Sequence, residues 1–560
     1  MNKRTLVLPL LLAVAAICGI YIGKMSNSAN QPKYNVVIPD DGTNTNAEQN
    51  FEDESELEFL LGEQIRDIIG ASNNKLQTVL SIIHAYYVDN VHTDTIVEKV
   101  IPQLLEELDP HSVYIPAKDL QRVDQELESD FGGVGVQFSI MRDTVNVVAV
   151  VAGGPASLLG VMPGDKIIKV NGHDFVGSML NNDMVMDSLR GTIGTTVDVT
   201  VLRGGESTID YTITRGVIPM YSVDVSYMIE PTIGYIKIDR FAIRTYEEMV
   251  SAIAKLKNDD CQTLIVDLRG NSGGYLDVAI RMCNEFLPKD ALIVYTEGAH
   301  QPRSTSLADG RGVCQDMNVI VLIDEFSASA SEIFSGAMQD NDRGTIVGRR
   351  SFGKGLVQVQ LPLGDGSAMR LTIARYYTPS GRCIQRPYGH GTSEYYEELS
   401  VRYDHGELFD ADSMQLDESQ IFYTNNGRPV YGGGGIVPDI FVPRDSTHAS
   451  QYLYKLRAKT LIYNFSVDYA NGRRKAYADL NFDDMLSKLS NDNIYAQLTT
   501  YAARNGLPKQ SVSSYEREII ECETKAYIAR NLRDDEAFYR IINTMDKGII
   551  AAIEAARSTD

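Results

Sequence analysis

The rhythm of apolar and polar positions changes repeatedly along this chain. An unbroken apolar run from Leu6 to Gly23 follows Lys3 and Arg4. From Ser26 to Glu58 the apolar residues thin out, and Asn, Asp, Gln and Glu replace them. That composition cannot bury a core and predicts a tether. From about Asn73 to Leu127 the spacing turns helical. Leu76, Val79, Leu80 and Ile83 recur three and four apart, as do Ile101, Leu104, Leu105 and Leu108. Asp109-Pro110 interrupts the pattern as a turn does.

At Phe131 the texture becomes short strands between glycine-rich turns. Phe131-Gly-Gly-Val-Gly-Val-Gln-Phe138 precedes an apolar run from Val145 to Val151. Gly153-Gly-Pro-Ala-Ser157, Gly160-Val-Met-Pro-Gly-Asp165 and Ile167-Ile-Lys-Val-Asn-Gly172 follow, and a strand pattern at Thr196 to Leu202 closes the unit. The segment resembles a PDZ domain of the bacterial kind. Such a module adds a peptide as an extra strand and holds its carboxylate on free backbone N–H groups. The expected peptide-binding residues are Gly132, Gly133, Val134, Gly135, Val136 and Phe138. The loop glycines would meet the carboxylate, and the alternating apolar residues would border the groove.

From about Tyr221 to Pro443 predicted strands and helices alternate, which is the signature of an α/β core. Strands are expected at Thr263–Leu268, Leu292–Tyr295, Val319–Ile323, Thr345–Gly348, Leu356–Leu361 and Met369–Tyr376. Helices are expected at Leu276–Leu287 and Ser331–Gln339. After Val442 helical stripes return, such as Tyr452, Leu456, Lys459 and Tyr463, then Ile519, Ile520, Tyr527 and Ile528. Heptads are not sustained, so these helices should pack on the core or on a partner. The predicted organisation is an anchor or signal at 1–24, an acidic tether at 25–72 and a helical region at 73–130. A PDZ domain at 131–216, an α/β core at 217–445 and a helical region at 446–560 complete it.

Composition narrows the function. The 560 residues carry 52 Lys plus Arg against 75 Asp plus Glu, a formal charge of -23. An acidic chain with no basic stripe repels phosphate backbones, which excludes nucleic acid as a partner. The basic residues before the first apolar run mark export, with the body outside the cytoplasm. A retained membrane anchor, a cleaved signal and a lipoprotein at Cys18 all fit this, although Ile17 stands where a lipoprotein site wants a small residue. No clustered cysteine spacing, HExxH or paired-ligand histidine pattern suggests a metal, and no cofactor is expected.

Three segments carry candidate chemistry. Asn318 to Phe334 runs from strand to tight turn to helix and places Ser329 in the turn, beside the amide of Ala330. A hydroxyl there sits at the positive end of a helix dipole, where an oxyanion is stabilised. Taken alone, Ser329 is equally an N-cap. In Ser351-Phe-Gly-Lys-Gly-Leu-Val-Gln358, Lys354 and Gln358 fall on one face of a period-2 strand. A lysine acts as general base only when neutral. That requires lowering its pKa from about 10.4 toward ~7–8, at about 4 kcal/mol of desolvation. A glutamine can aim such a lysine without charging it. Read in isolation, Lys354 is also an ordinary solvated lysine. The third segment is Asp267-Leu-Arg-Gly-Asn-Ser-Gly-Gly274.

Together these segments resemble the C-terminal processing peptidases, or tail-specific proteases, which are serine endopeptidases with a Ser/Lys dyad. Leu108-Asp-Pro-His-Ser112, the PDZ segment and Tyr377-Thr-Pro-Ser-Gly-Arg382 extend the resemblance over about Leu76 to Pro443. It implies a multidomain α/β protein: a crotonase-like core, an inserted β-rich PDZ domain, and helical N- and C-terminal regions. It also implies that Ser329 is the nucleophile, Lys354 the general base and Gln358 the residue orienting that lysine. Ala330 and the Gly273-Gly274 turn would supply the oxyanion hole, with the choice between the two glycine amides open. The expected partners are proteins with free apolar C-termini. The resemblance also suggests a homodimer joined by the terminal helices, and it leaves the need for an adaptor open. The segment Gly270-Asn-Ser-Gly-Gly274 also spells a trypsin-like nucleophile motif at Ser272. The hundred residues before it hold only His173, inside the PDZ segment, so a His-dependent mechanism lacks its base.

Overall fold

The computed structural model describes residues 34–35, 50–51, 74–127, 130–151, 153–204, 207–389, 391–445 and 450–559. The expected anchor at 1–24, Cys18 and the acidic run Glu52 to Glu58 lie outside those residues. The chain divides into two units, 1–101 and 102–560. In the first, Tyr34–Asn35 pairs with Asn50–Phe51, and a helix spans Lys75–Tyr86. Asn74 caps that helix by accepting the Leu76 amide at 3.0 Å. A second helix, Thr93–Glu106, runs across the division at 101 and stops before Asp109-Pro110, where the turn was expected.

In the second unit a six-stranded sheet forms the core. Its order is Val223–Glu230, Ile233–Ile238, Thr263–Asp267, Asn318–Ile323, Thr345–Gly348, Ile440–Phe441. The first pair is antiparallel and the rest are parallel. Parallel strands are covered on both faces, which explains why Thr263–Asp267 is buried throughout. Leu264, Val266, Val319 and Val321 face helices Thr245–Asn258, Leu276–Asn284 and Ala330–Asp340. The alternate residues Ile265, Ile320 and Leu322 face Ile549, Ala552 and Ala556 of the last helix, Lys547–Thr559. That helix therefore completes the α/β core, although the pattern of the sequence assigns it to a separate C-terminal region.

A second sheet has the order Gln301–Leu307, Leu292–Gly298, Ala368–Tyr377, Leu356–Pro362. The short strand Val113–Ile115 joins it by pairing with Ala368 to Arg370. The region expected to be wholly helical thus contributes a strand to the core. Three consecutive residues with strand preference, Val113-Tyr114-Ile115, are too few to show a period.

The PDZ sheet has the order Ser207–Thr214, Thr196–Arg203, Lys166–Val170, Thr144–Val150, Val136–Met141. The segments entering and leaving this module, Asp130–Gly133 and Gly216–Pro219, pair with each other. An insertion whose ends are zipped together leaves the surrounding fold undisturbed. Helices from Gln451 to Ile542 pack around a separate apolar cluster that includes Tyr452, Leu456, Ile520 and Ile528. The stripe expected to run on through Lys459 to Tyr463 breaks at Thr460, whose φ of 51° starts a new helix.

Candidate active site

Ser329 closes the turn between the strand Asn318–Ile323 and the helix Ala330–Asp340, every residue of which is buried. An ordinary N-cap residue has extended backbone. Ser329 instead has φ 53° and ψ -113°, a strained conformation costing about 1–3 kcal/mol. The flanking residues hold it there. Ser327 Oγ donates to the Leu268 carbonyl at 2.9 Å, the Ala328 amide to the Asn271 carbonyl at 3.0 Å, and Ser331 Oγ to that same carbonyl at 2.9 Å. The turn is thus tied to the 268–271 segment.

Lys354 Nζ donates to Gln358 Oε1 at 3.1 Å. Gln358 Nε2 donates in turn to the His111 carbonyl at 2.5 Å. That carbonyl takes the amide's donor end and turns its oxygen toward the lysine. A bulge interrupts the strand pairing here, but the additional residue, Ile373, is on the partner strand. Alternation on the Gln358 side survives, as expected. Burial pushes the Lys354 pKa down, the Arg370 charge adds to this, and Glu332 and Asp109 oppose it. The His111 ring is half-buried and its pKa falls to about 4, through desolvation first and the Lys354 charge second. It stays neutral, with Nε2 2.8 Å from the Tyr395 hydroxyl.

One residue that the sequence reading left without a role joins these two pieces. The buried carboxylate of Glu332 accepts the amides of Ser329 (2.8 Å), Gly353 (2.7 Å) and Lys354 (2.8 Å), and Ser351 Oγ at 2.5 Å. Burial raises its pKa to about 7 against these four donors, which all favour the anion. Its signal in the sequence was the spacing Ser329-x-x-Glu332, which is that of a capping box. The Tyr376 hydroxyl adds a second link, lying against the carbonyl oxygens of both Ser329 and Lys354.

The glycine turn lies against Ser329. A Cβ built on Gly273 would sit 2.7 Å from Ser329 Cβ and 2.9 Å from the Ala330 nitrogen, so only glycine fits. The Gly273 amide donates to Asn271 Oδ1 at 2.9 Å. It is therefore occupied, which removes Gly273 from the two expected donors. The Gly274 and Ala330 amides have no acceptor among the described residues.

Ser329, Lys354, Gln358, Gly273 and Gly274 line one cleft of about 640 Å³. Val123 and Asp124 of the helix Ala117–Leu127 form part of its wall, and Asp124 Oδ1 accepts Gln360 Nε2 at 2.7 Å. Ser272 also faces this cleft and is exposed. His173, the residue a trypsin-like mechanism would require, pairs with Val170 within the PDZ sheet.

In the PDZ module the structure revises the expected loop. Gly132 and Gly133 pair with Val217 and Gly216, and the Gly132 carbonyl accepts the Gly191 amide. They belong to a ladder, so they are not a free loop. Val134 is buried in the PDZ core and does not border a groove. Val134 and Gly135 lead directly into Val136–Met141, the outer strand of the PDZ sheet. Val136 and Phe138 are partly buried against the module's core. Among the described residues no strand pairs with that outer edge.

Comparison with known proteins identifies the family of the core and of the PDZ segment. Residues 232–392 match peptidase family S41, residues 132–210 match the PDZ domain, and residues 452–534 match a family of unknown function, DUF8443. A carboxy-terminal-processing protease of Bartonella bacilliformis is 38% identical over 309 residues, 54% of this chain and 70% of that protein. A CtpA-like serine protease of Staphylococcus haemolyticus is 33% identical over 346 residues, covering 60% and 69%. The photosystem II D1 C-terminal processing protease aligns over 70% of this chain and 94% of its own, at 22% identity and a TM-score of 0.36. The class is a serine endopeptidase carrying a PDZ module. The chain belongs to peptidase family S41, alongside the carboxy-terminal-processing proteases.

Proposed function

We propose that this protein is a cell-envelope endopeptidase that takes protein substrates by their free apolar C-termini and cleaves them with Ser329 and Lys354. The observation that carries the reading is the convergence of a strained serine, a partly buried lysine held by a glutamine, and the unpaired Gly274 amide on one cleft, with the unpaired Ala330 amide next to the serine in the chain. Neutral Lys354 takes the proton of Ser329 Oγ as that oxygen bonds to the scissile carbonyl carbon. The carbonyl oxygen becomes an oxyanion held by the Gly274 and Ala330 amides. When the C–N bond breaks, the lysine returns its proton to the leaving amine. A water then adds to the acyl-enzyme, losing its proton to Lys354, and the lysine passes that proton to Ser329 Oγ as the ester bond breaks and the serine is released. The substrate's tail adds to the outer edge of Val136–Met141, near the amides at Val134 to Val136.

The body lies outside the cytoplasm, anchored in the inner membrane through 1–24 or exported free of it. The basic residues preceding the apolar run at 6–23 support this. Among the described residues no helix is long and apolar enough to cross a membrane. A second copy of the chain is a further partner, suggested by the family resemblance.

The test compares two serines. Ser329→Ala abolishes cleavage of an unfolded protein substrate while the enzyme stays folded, and Ser272→Ala retains at least half of the activity. A dead Ser272→Ala enzyme beside a fully active Ser329→Ala enzyme sinks the assignment.

A further inference from the structure

We propose that Asp546, close to the carboxyl end, positions the oxyanion turn through Arg269 and so sets the rate of turnover. The inference rests on the reading that the Gly274 and Ala330 amides receive the oxyanion.

The turn from Gly270 to Gly274 has little stiffness of its own. Gly270, Gly273 and Gly274 have φ of 73°, 102° and 148°, three glycines in five residues in a region that other side chains avoid. Asn271 holds its middle, with Nδ2 on the Ile238 carbonyl at 3.0 Å and its own carbonyl accepting the Ala328 amide and Ser331 Oγ, so the glycines take their position from Asn271 and from the two ends. On the downstream side the Gly273 carbonyl accepts the Phe241 amide at 3.0 Å. Upstream, Arg269 is the last residue with a long side chain before the turn, and it is held on all sides. Its Nε and Nη2 fork onto Asp267 at 3.0 and 2.6 Å. Nη1 reaches both oxygens of Asp546 at 2.9 Å each. Lys237 Nζ donates to its backbone carbonyl. Forked charge-assisted bonds of this kind fix orientation as well as adding energy.

Asp546 is itself rigidly placed. It precedes the helix Lys547–Thr559, and its Oδ1 accepts the Ile549 amide at 3.0 Å. Ile549 lies in the apolar cluster of the core sheet. Just upstream, Asn543 Nδ2 donates to the Tyr227 hydroxyl at 2.9 Å. The carboxyl end thus delivers a fixed negative charge to the base of the oxyanion turn. Without it Arg269 keeps the Asp267 fork but loses its tie to the helix Lys547–Thr559. Oxyanion donors work only within about 2.7–3.1 Å of the developing charge, so a small displacement of Gly274 lowers the rate without altering substrate contacts.

The experiment uses the full-length enzyme with Asp546→Asn, Asp546→Glu and Arg269→Lys. Asparagine keeps an acceptor for the Ile549 amide and removes the charge facing Arg269. Activity per active site, counted with a fluorophosphonate, is measured on a short chromogenic peptide. Affinity is measured for a peptide aldehyde and for the corresponding product peptide. On binding the aldehyde, Ser329 Oγ bonds to the carbonyl carbon, the hydroxyl proton passes to Lys354, and the aldehyde oxygen becomes the oxyanion. In Asp546→Asn and Arg269→Lys we expect kcat and aldehyde affinity to fall together by about tenfold, below the ~100-fold of deleting a donor outright. KM and product affinity stay within about twofold, since neither registers the oxyanion. Asp546→Glu keeps the charge and recovers most of the loss. The proposal is overturned if kcat per active site and aldehyde affinity are unchanged in Asp546→Asn, whatever happens to its thermal stability. A wild-type enzyme that binds the aldehyde no tighter than the product would instead refute the oxyanion reading, and this proposal with it.

Discussion

Two of the sheet-edge strands among the described residues are entered by a glycine-bearing turn and invite comparison. Val136–Met141 follows Gly132–Gly135 in the PDZ module, and Leu356–Pro362 follows Gly353–Gly355 beside the cleft. Their supports differ in kind. The cleft turn is pinned by side chains. Glu332 takes the Gly353 and Lys354 amides, and Gln385 Oε1 takes the Gly355 amide at 2.8 Å. The PDZ turn is held by backbone, with the Val134 and Gly135 carbonyls accepting the Ala156 and Val151 amides, over an apolar cluster. Both can receive an extended peptide, but only the first is built for chemistry. Keeping a lysine neutral and a serine strained costs free energy, so polar groups must over-determine that turn. Recognition needs only a free edge and an apolar floor.

If that contrast is right, the cleft should break under single polar substitutions and the PDZ strand should not. The largest effect belongs to Lys354. Lys354→Arg should lower kcat about 10³-fold or more, because a guanidinium does not give up its proton. In the wild type, burial lowers the Lys354 pKa, so the neutral fraction and the activity rise with pH and level off before the lysine's ordinary 10.5. The same shift means that the unfolded chain binds more protons between the two pKa values, so this group's contribution to stability climbs with pH there. A pH-independent kcat between 6 and 9 would remove the lysine from the role of base.

Glu332→Gln should come next, with kcat about 100-fold lower, and stability reduced by about 1–3 kcal/mol because an amide cannot accept all four donors. Its folded-state pKa of about 7 lies above the ordinary 4.5. Its stabilising share is therefore complete below 4.5 and lost as pH rises through about 7, a slope that thermal melts of the variant should lack. Unchanged turnover in Glu332→Gln would mean that the carboxylate holds only the fold.

Gln358→Ala should cost about tenfold, in kcat more than in KM, since its work is aiming Lys354 and not touching substrate. A change confined to KM would make it a substrate contact. The smallest effect, about threefold, is expected at the PDZ strand. A substrate ending in a free apolar residue should be cleaved faster than its amidated or Asp-ended twin. Replacing residues 131 to 216 by a short linker should erase that preference and leave the chemistry intact. Asp130 and Pro219 already pair across the base of the module, so the cut ends lie together. Equal rates for both substrates in the intact enzyme would show that this module does not read the C-terminus.

Most element types and the candidate residues were legible in local pattern, the short strand Val113–Ile115 excepted. Continuous apolar runs marked the buried parallel strands, period-2 spacing put Lys354 and Gln358 together, and the strand–turn–helix pattern singled out Ser329. These are local signals, because burial on one or both faces and a tight turn each leave a trace within about ten residues. The tertiary structure decided which groups meet over long separations. Glu332 bonds the base loop 21 and 22 residues away, and the Arg269–Asp546 pair spans 277 residues. It also showed the Gly273 amide to be engaged and the Gly274 amide to be without a partner, and it took Gly132 and Gly133 into a ladder. No spacing rule encodes such pairings. A backbone amide carries no residue-specific mark, and its partner is set only when sheets and helices pack and every buried donor must find an acceptor.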